Sequence, residues 1–164
     1  TSKQLIVYTG GITASSEWSS TNGINQIVSV INECGNQGDI NIVAERENAY
    51  VFAGGISGFA YGYITNCYSI ANFENEYTKD KYFVGTLIGA IDANAYGYYI
   101  VLEENYVKSL ENDSYHIGAT FITMYNAYGG IIERGFSGLG FNFNKDVYTK
   151  TLEEVRLQEV YWHE

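Results

Sequence analysis

The sequence has no proline, only two cysteines and few basic residues. Its 164 residues include 9 Lys and Arg against 19 Asp and Glu, which gives a formal net charge of −10 at pH 7. Because phosphate backbones and anionic membranes are bound by clusters of Lys and Arg, nucleic acid is not expected as a partner. Two cysteines are too few for a disulfide framework, so they decide neither the compartment nor the redox state.

Long apolar runs are also missing. No stretch approaches the roughly 20 apolar residues that a membrane-spanning helix requires, so no membrane insertion is expected in this segment. The opening TSKQLIVYTG lacks the basic, apolar and cleavage regions of a signal peptide. Because the chain starts on the strand-like LIVY and stops on VYWHE, we expect a fragment of a larger protein, with neighbouring domains as partners.

Glycine and tyrosine are abundant, with 18 Gly and 16 Tyr in a chain whose length suits a single domain, residues 1–164. Short β-branched and aromatic runs alternate with Gly, Asn and Asp, which is typical of strands and turns. Three words recur at a period of about 35 residues, within the 20 to 50 that indicates a repeat architecture. The Tyr word is AYGYI at Ala60, AYGYYI at Ala95 and AYGGII at Ala127.

Two further words flank the Tyr word. The glycine words VYTGGIT, VFAGGISG, YFVGTLIG and YHIGATFIT predict one shared register for Gly10, Gly54, Gly85 and Gly118. The Asn-Cys word begins at Ile31 and Ile64, with degraded copies from Leu102 and Ile132. Asn105 and Gly135 take the Cys position in those copies. A Gly in a strand indicates a bulge or a close backbone approach, and Asn can adopt the left-handed conformation at bends.

Repeats of this size without helix signals predict an all-β fold, a right-handed parallel β-helix (β-solenoid) of about four irregular coils. The coils are expected at residues 5–43, 50–75, 82–110 and 115–142. Equivalent residues would stack about 4.8 Å apart, which places Ile56 near Leu87. It also stacks Tyr61 on Tyr96 and Tyr128. A short capping helix is expected over residues 149–164, where TLEEVRLQEV carries a capping-box pattern.

Cys34 and Cys67 fall on the same position of adjacent coils. Their functional interpretation is a redox pair or metal ligands, and the alternative is reduced thiols that pack in the interior as small hydrophobes. His116 and His163 have no second His at a ligand spacing, so no metal or cofactor is expected. No nucleophile motif or phosphate loop indicates a catalytic set.

The tyrosine surplus predicts a binding surface. An exposed aromatic stripe of Tyr61, Tyr63, Tyr96, Tyr98 and Tyr128 can stack on sugar rings or dock a partner. Strand alternation puts the first two on one face, outward if Ile64 points inward. The alternative is an interior stack in which the rings pack on their own neighbours.

The stretch AGGISGFAYGYITNCYSIANF, preceded by INECGNQGDI, resembles the GLUG-motif repeats of bacterial surface and secreted proteins, including immunoglobulin A proteases. The resemblance implies a noncatalytic module in an extracellular or cell-envelope protein, a spacer or adhesive surface for a glycan or a host or cell-surface protein. The alternative is a carbohydrate-binding or carbohydrate-active β-helix that uses the Tyr stripe. The matching residues, which have structural roles in the repeat, include Gly54, Gly55, Gly58, Asn66, Cys67 and Cys34.

Overall fold

Short runs of β-branched and aromatic residues form strands throughout the described chain. The computed structural model describes residues 5–16, 19–21, 25–27, 29–43, 49–75, 82–92, 100–108, 115–125, 131–141 and 147–150. This part of the protein is all-β, as the composition predicts, and none of these residues is helical. The strands, in chain order, are β1 Leu5–Gly10, β2 Thr13–Ser16, β3 Ser19–Thr21, β4 Asn25–Ile27, β5 Val30–Asn32, β6 Gly35–Asn36, β7 Ile40–Ile42, β8 Ala49–Gly54, β9 Ser57–Ala60, β10 Gly62–Thr65, β11 Tyr68–Ser69, β12 Phe73–Asn75, β13 Tyr82–Asp92, β14 Ile100–Glu103, β15 Asn105–Lys108, β16 Tyr115–Tyr125, β17 Ile131–Phe141 and β18 Val147–Lys150.

Strands from successive parts of the chain pair side by side in four sheets. Sheet A has the order β1-β8-β13-β16-β17, with β2 and β9 paired alongside. Sheet B has the order β14-β10-β5, sheet C the order β18-β15-β11-β6, and sheet D joins β12 to β7. The pairings are parallel in all four sheets except between β16 and β17. Strands β3 and β4 form a separate antiparallel pair.

Three repeats can be followed along these sheets: repeat 1 (5–43), repeat 2 (49–75) and repeat 3 (82–108). Between repeats 1 and 2, partners in sheets B, C and D lie 33 residues apart, as Ile31 and Ile64 do. Between repeats 2 and 3 the separation is 38 residues in sheets B and C, as for Ile64 and Leu102. In sheet A it is only 31 residues, as for Ser57 and Ile88.

The unequal spacing comes from one corner of the repeat, between sheets A and B. Repeat 2 turns this corner directly from Tyr61 to Gly62, whereas repeat 3 carries residues 93–99 between Asp92 and Ile100. Repeat 1 carries residues 17–28 at the same corner. The Tyr word of repeat 3 falls inside such an insertion, so its spacing does not represent the register of the sheets.

The glycine register is confirmed for three of its four members. Gly10 pairs with Gly54, and Gly54 pairs with Gly85. The prediction is wrong for Gly118, because Gly85 pairs with the first residue of β16 and the pairs that follow place Gly118 beside Gly89. Between these pairs β13 carries one extra residue, a β-bulge.

Of the two degraded copies of the Asn-Cys word, one is confirmed by the strand pairing and one is not. The copy from Leu102 is confirmed, because Leu102 pairs with Ile64 in sheet B. The copy from Ile132 is wrong, because this segment lies in β17 and runs antiparallel to β16, where Gly135 pairs with Ile122. Val147 of β18, rather than Gly135, pairs with Asn105 in sheet C.

The predicted C-terminal cap begins as a strand, and the segment TLEEVRLQEV that is expected to be helical starts after this strand, at Thr151. Thr149 and Lys150, the start of the predicted segment 149–164, belong to β18 and pair in parallel with β15. Residues 151–164 lie outside the described residues, as do residues 109, 110 and 142 at the ends of two predicted coils. Among the described strands, β17 and β18 are the last in chain order in sheets A and C and lie at one edge of each sheet.

Strand β8 separates the two larger of three core clusters, the third being a small group on sheet C around Tyr68. Phe52 belongs to the main cluster, which gathers apolar side chains from sheets A, B and C. Val51 and Ala53 point into a second cluster with Ile42 and Phe73 of sheet D. Because β8 is buried on both faces, its sequence is a continuous apolar run instead of an alternating one.

Candidate functional site

Of the two predicted binding residues that the structure describes, Tyr63 is the exposed one, and it lies on the outer face of sheet B. Alternation turns Ile31, Ile64 and Leu102 toward the main core. Their outward neighbours Val30, Tyr63 and Val101 are paired in register and form an apolar row across three strands. Val30 is 65% exposed and Tyr63 is 42% exposed, so the row is open to a partner.

A polar row runs beside the apolar one. Asn32, Thr65 and Glu103 are paired in register, two residues after the apolar row on each strand. The Thr65 hydroxyl donates to Asn32 Oδ1 at 2.7 Å, and Asn66 Nδ2 donates to the same oxygen at 3.2 Å. We call the two rows together the Tyr63 face: Val30, Asn32, Tyr63, Thr65, Val101 and Glu103.

Tyr61 does not belong to this face. It is only 6% exposed, packs edge-on against Phe59 with ring centroids 5.3 Å apart, and donates from its hydroxyl to Asp92 Oδ2 at 3.1 Å. The expectation that both tyrosines face outward is therefore wrong for Tyr61. The reason is Gly62, whose φ of +95° breaks the strand alternation at the corner.

The three other residues of the predicted stripe, Tyr96, Tyr98 and Tyr128, lie outside the described residues. Within the described chain, the stripe is represented by Tyr63 at the surface and Tyr61 in the core. Val30 and Val101, which the sequence reasoning missed, complete the exposed row. The signal that identifies them is the 33- and 38-residue register of the Asn-Cys word, not the spacing of the Tyr word.

The corner between sheets B and C has one left-handed residue in each repeat. Asn66 has a φ of 52°, the left-handed conformation that Asn can adopt at bends. Glu33 and Glu104 occupy the equivalent positions and have φ values of 55° and 50°. A left-handed conformation is tolerated by Asn and unfavourable for Glu. The repeats therefore keep this bend even where the residue is poorly suited to it.

The residue after each left-handed position points into the protein. Cys34 and Cys67 are equivalent by register, as predicted, and both are free thiols. Asn105 takes the third position and is fully buried. Its side chain accepts a hydrogen bond from Cys67 N at 3.0 Å and donates to Ile64 O at 2.7 Å. These bonds tie repeat 3 to the corner of repeat 2.

The repeat glycines lie where backbones approach closely. A Cβ on Gly55 would be 2.1 Å from Thr86 O and 2.2 Å from Ser69 Oγ. Cβ atoms on Gly54 and Gly58 would also lie within 2.5 Å of neighbouring backbone atoms. Their roles are therefore structural, as the repeat pattern predicts.

Burial shifts the pKa of three groups in the described chain toward the neutral form. It raises the pKa of the Cys67 thiol to about 11, although a hydrogen bond with the Cys34 backbone acts in the opposite direction. Burial alone raises the pKa of Tyr82 to about 12 and lowers the pKa of His116 below its usual range. Among the described residues, no three His, Cys, Asp or Glu side chains are grouped so that they can hold a metal ion.

The described residues include no helix long and apolar enough to cross a membrane. No family model, no curated protein sequence and no solved structure matches this chain. Its function is therefore inferred from the geometry.

Proposed function

We propose that the chain is a noncatalytic repeat module, a right-handed parallel β-solenoid of the GLUG-motif kind, that serves as a spacer in a secreted or cell-surface protein. The supporting observation is the parallel register of three successive repeats in sheets B and C. Each of these repeats adds one strand to sheet B and one to sheet C, so the module lengthens along one axis. Such growth separates whatever is attached to its two ends.

The composition of the interior supports a structural role. The main core is built from apolar side chains of all three repeats, among them Phe52, Ile64 and Leu102. Cys34, Cys67 and Asn105 form a column across the three repeats, and the buried Asn105 uses its amide to bond backbone atoms of the preceding repeat. A side chain engaged in this way stabilises stacking and is not directed at a substrate.

Lengthening of the chain by added repeats tests the spacer function. Three extra copies of residues 50–81 are expected to extend the maximum dimension by about 14 Å, since neighbouring parallel strands lie about 4.8 Å apart. Small-angle X-ray scattering should show this increase with an unchanged cross-sectional radius. Equal growth in all directions would contradict the proposal, as would recovery of the parent protein only from the cytosolic fraction of its cells.

A second candidate function is binding of a glycan by the Tyr63 face. The observation that favours it is the exposure of Tyr63 and Val30 beside the polar row of Asn32 and Thr65. Aromatic rings stack on the apolar faces of sugars, and flanking amides and hydroxyls bond their hydroxyl groups.

A glycan array tests this second function with a matched control. Tyr63→Ala and Val30→Ser are expected to reduce binding at least tenfold. Val43→Ser is the control, because Val43 is 67% exposed, close to the 65% of Val30, but follows β7 of sheet D. Equal loss in all three variants, or no saturable binding by the unmodified chain, would reject glycan binding and leave the spacer function standing.

A further inference from the structure

Cys34 and Cys67 are direct neighbours in the stacking direction. The pairs on both sides of them are in register, Ile31 with Ile64 and Gly35 with Tyr68, and Tyr68 N donates to Cys34 O at 3.0 Å. Neighbouring strands of a sheet lie about 4.8 Å apart. This separation falls within the Cα range of roughly 4.4 to 6.8 Å that a disulfide bridge accepts.

The two thiols make equivalent contacts, and the Cys67 thiol also reaches repeat 1. Cys34 Sγ donates to Asn32 O at 3.4 Å, and Cys67 Sγ donates to the equivalent Thr65 O at 3.3 Å. Cys67 Sγ also lies 3.5 Å from Ile31 O, an atom of repeat 1. The sulfur of repeat 2 is therefore directed at the repeat that carries Cys34.

The thiols differ in access to solvent. Cys67 is fully buried, whereas Cys34 is partly exposed. A reagent in solution therefore meets Cys34 first. Asn105 replaces Cys at the third position and is engaged in hydrogen bonds to repeat 2, so within the described chain the column holds one thiol pair.

We propose that Cys34 and Cys67 form a disulfide bond that joins repeats 1 and 2, by exchange with a low-molecular-weight disulfide such as oxidised glutathione. The Cys34 thiolate attacks one sulfur of glutathione disulfide and expels the first glutathione thiolate. The Cys67 thiolate then attacks Cys34 Sγ and expels the second. Two protein thiols are oxidised, glutathione disulfide is reduced to two thiols, and the two protein protons pass to them. This inference concerns stability and stands apart from the proposed spacer function.

Incubation of the folded protein with oxidised glutathione tests the proposal. After an acid quench and alkylation in denaturant, intact-mass measurement is expected to show no alkylated cysteine, a loss of two hydrogens and a monomer. The bridge closes the loop from residue 34 to residue 67, so the thermal unfolding midpoint is expected to rise by about 5 to 10 °C.

Single-cysteine variants separate the two steps. In Cys67→Ser, Cys34 is expected to retain one glutathione without a rise in the midpoint. In Cys34→Ser, Cys67 is expected to stay unmodified in the folded protein, and circular dichroism verifies that both variants are folded. The proposal is overturned if the unmodified chain keeps both thiols alkylatable, accumulates a lasting glutathione adduct, or loses stability on bridging.

Discussion

Repeats 1 to 3 and the β16–β17 pair all contain a glycine-bearing strand of sheet A, but the chain continues differently after it. In the repeats, the chain leaves sheet A and adds parallel strands to sheets B and C. After β16 it instead returns as β17, which pairs antiparallel with β16 along sheet A. In this arrangement Leu139 and Phe141 are in register with the core residues Ala119 and Ile117.

The difference shows that the corner, and not the glycine word, makes a repeat. Each of repeats 1 to 3 has a left-handed residue between sheets B and C, followed by an inward Cys or Asn. The segment from Ile132 was aligned to that corner by sequence, but the strand runs through Gly135 without turning. In the described chain, a glycine word without a working corner therefore ends the parallel stacking in sheet A, while sheet C still adds the parallel strand β18.

The largest expected effect comes from adding a methyl group at Gly55, the second glycine of the glycine word in repeat 2. Gly55→Ala places a methyl group 2.1 Å from the backbone oxygen of Thr86 in the next repeat. We expect the free energy of unfolding to fall by at least about 3 kcal/mol in urea titrations, because backbone atoms cannot move aside. Gly38→Ala is the control, since its nearest contact is at 3.4 Å, and it should stay within about 0.5 kcal/mol.

The column residue of repeat 3 should have the next largest effect. Asn105→Ala removes the partners of Cys67 N and Ile64 O in a buried corner and should cost about 2 to 3 kcal/mol of unfolding free energy. Asn32→Ala, at an exposed position, should change it by less than about 1 kcal/mol. Equal effects of the two substitutions would show that the corner bonds do not hold the repeats together.

Removal of two tyrosine hydroxyls should change the unfolding free energy in opposite directions. Tyr61→Phe removes a bond to buried Asp92 and should lower the unfolding free energy by about 1 to 2 kcal/mol. Tyr82→Phe removes a buried hydroxyl that has no hydrogen-bond partner among the residues that the structure describes, and it should raise the unfolding free energy by about 1 kcal/mol. Chemical denaturation of both variants measures the contrast, and a loss of stability in Tyr82→Phe would contradict it.

A smaller gain is expected at the left-handed corner. Glu33→Asn replaces a residue that disfavours its φ of 55° with one that tolerates it, and should add about 1 kcal/mol to the unfolding free energy. Glu103→Asn changes an exposed strand residue in the same way and should not stabilise the protein. If both variants behave alike, the corner conformation does not limit the stability of the repeats.

The smallest expected effect is a pH dependence of stability that arises from His116 in β16. Burial lowers the pKa of His116, so the unfolded chain takes up a proton near pH 6.5 while the folded protein resists it. Stability should therefore fall as the pH drops below about 6.5. Denaturation at pH 7.5 and 5.5 should show a smaller decline in His116→Gln than in the unmodified chain, and identical declines would contradict this assignment.

Sequence reasoning was most successful where the signal is local. Asn was expected to tolerate the left-handed conformation at bends, which Asn66 adopts, and Cys34 was expected beside Cys67. Both expectations rest on turn chemistry and strand period, which are properties of a few neighbouring residues. The Tyr63 face was only partly anticipated. Its aromatic member follows from the Tyr word, whereas Val30 and Val101 join it through pairing between distant strands.

The amino-acid pattern alone establishes strands, a glycine-rich repeat and the equivalence of Cys34 and Cys67, because these follow from composition and from the order of residues along the chain. The burial of Tyr61, the pairing of Gly89 with Gly118 and the reversal at β17 depend on three-dimensional context. Insertions of different length at one corner, and a single extra residue on β13, change which distant residues meet. Register between strands is a non-local property, so these features follow from the packed structure and not from the words of the sequence.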